Sequence, residues 1–233
     1  MKHRLKISEI KVLLFLLSVI ILAGCGNEIN LNDSNNDHHQ IYGSGRIVTQ
    51  ERFVSECSGI DIRNVGNVYL IQDSLQSVII EADDNIIDKI FTYRQNGNLV
   101  VGLDDGSYSN IKLNIYVSLK AIKNLIINGA GKIISDNSLN CDNLTCLING
   151  AGNIEITGSG NYLDCSVTGA GNIDSKNYIT SKCKAAVYGT GNCTIYVNDE
   201  LDAYVSGVGS IIYYGNPPIV QASVSGIGQI VRK

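Results

Sequence analysis

Two glycines separated by one residue recur through the second half of this chain, and they constrain its fold more than any other feature. The copies are Asn128-Gly129-Ala130-Gly131, Asn149-Gly150-Ala151-Gly152, Thr168-Gly169-Ala170-Gly171, Tyr188-Gly189-Thr190-Gly191, Ser206-Gly207-Val208-Gly209 and Ser225-Gly226-Ile227-Gly228. Their first glycines lie 21, 19, 20, 18 and 19 residues apart. A period of this size marks stacked repeats, each unit burying its apolar side only against its neighbours.

Aligning the copies on the first glycine exposes columns. Two residues before it stand Ile127, Ile148, Val167, Val187, Val205 and Val224. Four before it stand Leu125, Cys146, Cys165, Ala185, Ala203 and Ala222, and four after it Ile133, Ile154, Ile173, Cys193, Ile211 and Ile230. Mostly polar residues separate these columns, as Thr145, Asp164, Lys184 and Asp202 do at minus five. Alternation of period two, running into a glycine turn and out again, predicts strand, turn and strand. The expected fold class is all-β: a single-stranded, right-handed parallel β-helix (β-solenoid) with Gly-x-Gly turns and about 18–21 residues per rung. Successive rungs would rise by about 4.8 Å. A leucine-rich repeat is excluded because its Leu-x-x-Leu-x-Leu spine is missing.

Upstream, Ile60, Ile62, Asn64-Val65-Gly66 and Val68 fall into the same register, with Asn64 in place of the first glycine. Val78 and Ile80, Leu99-Val101-Leu103 and Ile111-Leu113-Ile115-Val117 alternate as strands, while Asp84 to Ile90 suits a short helical turn. Residues 43–233 therefore read as one β-helical domain, with 43–125 as irregular opening coils and 126–233 as regular rungs.

The other end of the chain carries Lys2, Arg4, Lys6 and Lys11, then eleven apolar or small residues from Val12 to Leu22, then Ala23-Gly24-Cys25. That is the layout of an export signal. It is too short for a membrane helix, which needs roughly 20 residues. Leu-Ala-Gly-Cys resembles the bacterial lipobox, so residues 1–24 are expected to be a lipoprotein signal peptide and Cys25 the acylated residue that partners the membrane. An ordinary secretory signal is the alternative. Residues 25–42 are polar, with five Asn and three acidic residues, and read as a tether. The expected location is the bacterial cell envelope, periplasmic or on the outer surface.

Without the signal, 14 basic residues face 21 acidic ones, a net charge of −7. Nucleic acid wants the opposite sign and is not an expected partner. The three histidines are His3, His38 and His39, so imidazole acid–base chemistry is absent from the β-helical domain.

Seven cysteines in an exported chain invite disulfides. Yet Cys146, Cys165 and Cys193 stand in core columns and Cys183 in a fourth apolar one, so they read as small buried hydrophobes. Cys146 and Cys165 share a column on consecutive rungs, which leaves a bridge open; Cys57 and Cys141 are undecided. The acidic pairs Asp83-Asp84 and Asp104-Asp105 follow no calcium-loop pattern and read as solvated loop carboxylates. Asn67, Asn153, Asn172 and Asn192 read as turn residues bonding their own backbone rather than as a ladder. No cofactor and no metal is expected.

Glycan hydrolysis would need two carboxylates about 5–9.5 Å apart. At minus five Asp164 and Asp202 are separated by Lys184, which reads as ordinary surface. Tyrosines give the best sign of recognition. Tyr196 and Tyr214 both stand seven residues after the first glycine of consecutive rungs, with Tyr188 and Tyr204 close by, a candidate ligand-facing strip.

The segments Ile60-Asp61-Ile62-x-x-Val65-Gly66-Asn67-Val68, Glu81-Ala82-Asp83-Asp84-Asn85 and Asn96-Gly97-Asn98-Leu99-Val100-Val101, with the Gly-Ala-Gly-Asn-Ile rungs, resemble the putative auto-transporter adhesin head, or GIN, domain family. The resemblance covers nearly all of 43–233. It implies a β-helical, envelope-associated protein of Bacteroidetes type and brings no catalytic or binding residues with it. The expected function is a non-catalytic, adhesin-like binding or structural module with a glycan or protein partner at the cell surface. A polysaccharide-active enzyme on the same scaffold and a self-assembling envelope scaffold are the alternatives.

Overall fold

The structure is a computed structural model, and it describes residues 40–233. The signal segment, Cys25, His38 and His39 lie outside the described residues. In chain order the strands are β1 (Gln40–Tyr42), β2 (Ile47–Glu51), β3 (Gly59–Gln72), β4 (Ser77–Asp83), β5 (Ile90–Gln95), β6 (Asn98–Leu103), β7 (Ser107–Ser109) and β8 (Leu113–Leu119). They continue with β9 (Asn124–Ser135), β10 (Leu139–Gly150), β11 (Asn153–Gly169), β12 (Asn172–Gly189), β13 (Asn192–Gly207), β14 (Ser210–Tyr214), β15 (Ile219–Gly226) and β16 (Gln229–Arg232). One 3-10 turn among the described residues, Ile87–Lys89, falls within the segment expected to be helical.

From β9 onward every pairing is parallel, and the glycine columns stack as the repeat predicts. Gly129, Gly150, Gly169, Gly189, Gly207 and Gly226 are successive register partners. Strand β3 joins this stack directly, with Asn64 opposite Gly129 and Gly66 opposite Gly131. Asn64 adopts φ +63°, a conformation that Asn tolerates better than most side chains. The chain is thus a β-solenoid.

Glycine is required at the turns for two reasons that Gly169 and Gly171 illustrate. Gly169 has φ +124°, and a Cβ on it would lie 2.4 Å from the carbonyl oxygen of Gly150 on the rung before. A Cβ on Gly171 would lie 2.5 Å from Gly152 O and 2.6 Å from Ile148 Cγ2. The second glycine of each turn therefore sits on the β-branched residue that lies two before the first glycine of the preceding rung. Column and turn are one packing motif.

The columns bury as expected. Ile127, Ile148, Val167, Val187 and Val205 are fully buried, as are Leu125, Cys146 and Cys165. Unequal rung lengths are absorbed away from the glycines. The rung from Gly169 is two residues longer than the rung from Gly189, and the register between β12 and β13 shifts between Ser175 and Lys182 before recovering. Buried polar groups on this arm find partners: Ser175 donates to Thr194 O at 3.1 Å and Thr180 to Lys182 O at 3.1 Å.

The opening region departs from simple coils. β8 pairs antiparallel with β4, β4 with β2, and β5 with β6, although β6 and β8 continue the parallel stack onto β3. The β5–β6 reversal passes through Asn96 (φ +51°) and Gly97 (φ +82°), the positive-φ pair that a two-residue hairpin requires. The run expected to tether the domain already pairs at its end, β1 lying parallel to β7.

Asp83 and Asp84 are not solvated loop carboxylates. Asp83 is 2 % exposed and accepts backbone N–H groups from Gly45 at 2.7 Å and Lys112 at 2.6 Å. Asp84 accepts the Ser44 hydroxyl and pairs with Arg46. Together they clasp the segment between β1 and β2 onto the solenoid.

Candidate binding surface

Outward residues of the rungs form ladders, so neighbours on the surface are set by register. Tyr188 on β12 and Tyr204 on β13 precede their turn glycines by one and three residues. Their rings lie 5.7 Å apart at an angle of 51°. Tyr188 is 46 % exposed and Tyr204 half-buried. Small residues surround the pair: Thr168 and Ser206 are partners of Tyr188, and Ala186 and Ser223 are partners of Tyr204. The result is an aromatic ledge edged by hydroxyl groups.

Tyr196 and Tyr214 form a second pair on the arm after the turn, as register partners of β13 and β14. Both are half-buried, and the Lys176 ammonium lies 4.5 Å from the centroid of Tyr214. Tyr213 packs against the core instead. The four candidate tyrosines thus fall into two pairs on separate segments of the rungs.

Three of the four turn asparagines, Asn153, Asn172 and Asn192, bond across rungs rather than to their own backbone, contrary to the turn reading. Asn172 Nδ2 donates to Asn153 Oδ1 at 3.1 Å, and Asn192 Nδ2 donates to Asn172 Oδ1 at 3.0 Å. A second ladder runs on the other side of the turns, from Asn149 to Asn128 and on to Asp61. The Asn128, Asn149, Asn172 and Asn192 amides each donate to a residue one rung away, which ties the rungs together and uses donors that a ligand would otherwise take.

Asp164, Lys184 and Asp202 are register partners on three consecutive rungs. The two aspartates therefore stand two rungs apart, about 9.6 Å between backbone positions, with Lys184 on the rung between them. That spacing lies at the far limit of the roughly 6.5–9.5 Å that separates the carboxylates of an inverting pair. Among the described residues no group of three or more His, Cys, Asp or Glu is placed to hold a metal ion.

Cys57, Cys141, Cys146, Cys165, Cys183 and Cys193 are buried free thiols. Cys146 and Cys165 are register partners, yet no bridge joins them. Burial pushes the Cys193 thiol upward and raises Cys141 to about 11. The off-column Cys141 has a partner that the repeat did not reveal: its carbonyl accepts the hydroxyl of fully buried Tyr178 at 3.0 Å. Tyr178 lies over Gly158 and Gly160, a Gly-Ser-Gly out of register with the turns, and a Cβ on Gly160 would meet its hydroxyl at 2.2 Å.

Fold and surface together define a class: a glycine-turned β-solenoid that displays side chains from rigid ladders. The chain belongs to the family described as "Putative auto-transporter adhesin, head GIN domain", whose model matches residues 57–217. Among solved structures, a putative adhesin from Bacteroides fragilis is 26 % identical with a TM-score of 0.69, the match covering 83 % of this chain and all of that one. A putative adhesin from Parabacteroides merdae (20 % identical, TM-score 0.54) and a putative lipid binding protein from Parabacteroides distasonis (21 %, 0.53) share the fold, each match covering 83 % of this chain and 99 % of the other. No curated protein matches the chain.

Proposed function

We propose that this chain is a non-catalytic, adhesin-like binding module held at the cell envelope through acylated Cys25, with the Tyr188–Tyr204 ledge as its ligand-facing surface. The observation that carries this reading is the ledge itself. Two rings stand on adjacent rungs of a rigid sheet, and aromatic faces beside hydroxyl groups suit the apolar faces and hydroxyl rims of sugars. A glycan is accordingly the favoured ligand class over a protein. Family membership supports the adhesive role and a location at the cell envelope or surface.

The test is a glycan panel scored for both retention and product release. Retention should fall at least tenfold in the Tyr188→Ala/Tyr204→Ala variant while the circular dichroism spectrum is unchanged. Retention that survives both substitutions removes the ledge from the reading. Turnover abolished by Asp164→Asn or Asp202→Asn would replace it with the enzyme alternative. Globomycin-sensitive processing together with loss of membrane association in Cys25→Ser tests the anchor, and protease shaving of intact cells tests surface exposure.

A further inference from the structure

The tyrosine ledge is one end of a longer feature. Tyr204 stands three residues before a turn glycine, and the same outward position on the preceding rungs holds Ala186, Ser166, Leu147 and Ile126. These five are successive register partners from β13 back to β9. The register shifts of β11, β12 and β13 fall earlier in those strands, so the column is unbroken. Four rung spacings of about 4.8 Å give it a length of about 19 Å.

Ile126, Leu147, Ser166 and Tyr204 are partly exposed, and Ala186 between the last two is buried. Polar columns flank the strip on both sides. Asp164, Lys184 and Asp202 run along one side, and Asn149 and Thr168 lead to Tyr188 on the other. The strip ends at β3, where Ile126 meets Asp61, a carboxylate 6 % exposed and paired with Arg63 at 2.7 Å.

We propose that this strip is a track for one extended strand of a neutral polysaccharide, laid along the solenoid axis with a sugar at each rung. The inference rests on the ledge being a glycan site and names the class and direction of that glycan. An apolar strip one side chain wide, edged by hydroxyl, amide and charged groups, matches a pyranose, whose CH face is apolar and whose rim carries hydroxyls. The strip is continuous only along the axis, since polar columns bound it within every strand. The rung spacing is close to the span of one hexose in an extended chain, so successive rings meet equivalent positions. Charge selects the class. The flank sets two carboxylates against one ammonium, on a chain whose net charge without the signal is −7, which disfavours uronate and sulfate polymers. Neutral sugar hydroxyls find acceptors in Asp164 and Asp202 and a donor in Lys184. A protein partner is anchored by side chains that fill pockets, whereas this strip runs over the outward face of a sheet.

Calorimetric titration of the full-length chain in a non-glycosidic detergent tests it. The probes are cello-, manno- and laminari-oligosaccharides from disaccharide to hexaose, with oligogalacturonates as the acidic comparison. In a neutral ladder, affinity should rise about tenfold or more from disaccharide to pentaose and then level off. Leu147→Lys puts a cation across the strip two rungs from Tyr188, and should hold the pentaose at the affinity that the unaltered chain has for the disaccharide. Should circular dichroism show that this variant does not fold, Ser166→Lys makes the same cut one rung nearer, at a polar and partly exposed position. The Tyr188→Ala/Tyr204→Ala variant should lose the whole ladder. A disaccharide bound as tightly as the pentaose, or a gain with length that survives the lysine substitution, overturns the track and leaves the ledge standing. Binding to no ladder overturns both. Preference for oligogalacturonates overturns the neutral class. The native thiols of the domain are buried, so a photoactivatable maleimide can be placed on Ser166→Cys; a protein joined to the chain through it in isolated envelopes overturns the glycan.

Discussion

If the turn glycines are needed because rungs stack through them, alanine at different glycines should carry different and separable costs. At Gly169 the added Cβ meets Gly150 O at 2.4 Å with φ at +124°. The positive φ costs of order 2 kcal/mol. Relieving the contact also strains two inter-rung bonds, Ala170 N–H to Gly150 O and Thr190 N–H to Gly169 O, both 2.9 Å. At about 1 kcal/mol each these add about 2 kcal/mol, for a total near 4 kcal/mol. Gly171→Ala carries no positive-φ cost, but its Cβ presses on Ile148 in the core. Overpacking of about 2 kcal/mol there, with two weakened rung bonds, again gives about 4 kcal/mol. Gly45 is the control: φ is +77° and nothing lies within 4 Å of a Cβ, so only the dihedral cost of about 1–2 kcal/mol remains. Urea unfolding followed by circular dichroism at 218 nm measures all three. A Gly171→Ala cost no greater than that of Gly45→Ala would refute the stacking argument, since Gly171 has contact without dihedral strain.

Three further outcomes are expected. Tyr178→Phe removes the hydroxyl that satisfies Cys141 O in the core and should cost about 1–2 kcal/mol in the same urea assay, with no loss of strand content. The Asp84 carboxyl is held below its ordinary 3.8 by hydrogen bonds from Ser44 and Arg46, so the clasp contributes stability above that pH and loses it as pH falls through the lower folded value; amide exchange of residues 43–46 should stay slow at pH 4, accelerate only on stronger acidification, and lose this acid transition in Asp84→Asn. The six cysteines of the domain are buried, and thiol reagents at neutral pH should label none of them until denaturant unfolds the chain; prompt labelling of Cys146 or Cys165 would show that this part of the core opens.

The repeating half of the fold was legible because each apolar column recurs at a fixed offset from a glycine, so Val167 and Ile148 could be assigned to the core from spacing alone. Even Asn64 was readable as a turn residue, since Asn is the usual substitute where φ is positive. The opening region was harder for a physical reason: its contacts are not periodic. Asp83 and Asp84 find their partners at Ser44, Gly45 and Arg46, about forty residues away with no repeat to point there. The antiparallel β5–β6 pair did have a signal in Asn96-Gly97, whose two positive-φ residues close a hairpin. Cross-rung bonding of Asn153, Asn172 and Asn192 follows from their shared column, but the choice between a neighbouring rung and their own backbone depends on side-chain direction, which spacing does not specify. The tyrosines divide into two pairs for the same reason: Tyr188 and Tyr204 precede the turn and Tyr196 and Tyr214 follow it, and offset alone did not show how far the arms separate them.

The shift between Ser175 and Lys182 has a consequence for how such a chain tolerates change. The strands lose register there and regain it by the next glycine, as Gly189 meets Gly207 with the difference of two residues already spent. Every glycine turn therefore resets the phase of the coil, and a residue gained or lost in one rung is not inherited by the next. A chain built this way can alter its length on one arm, rung by rung, while the face bearing the Tyr188–Tyr204 ledge keeps its alignment. Errors in length stay local, so the ledge can diversify without a redesign of the core beneath it.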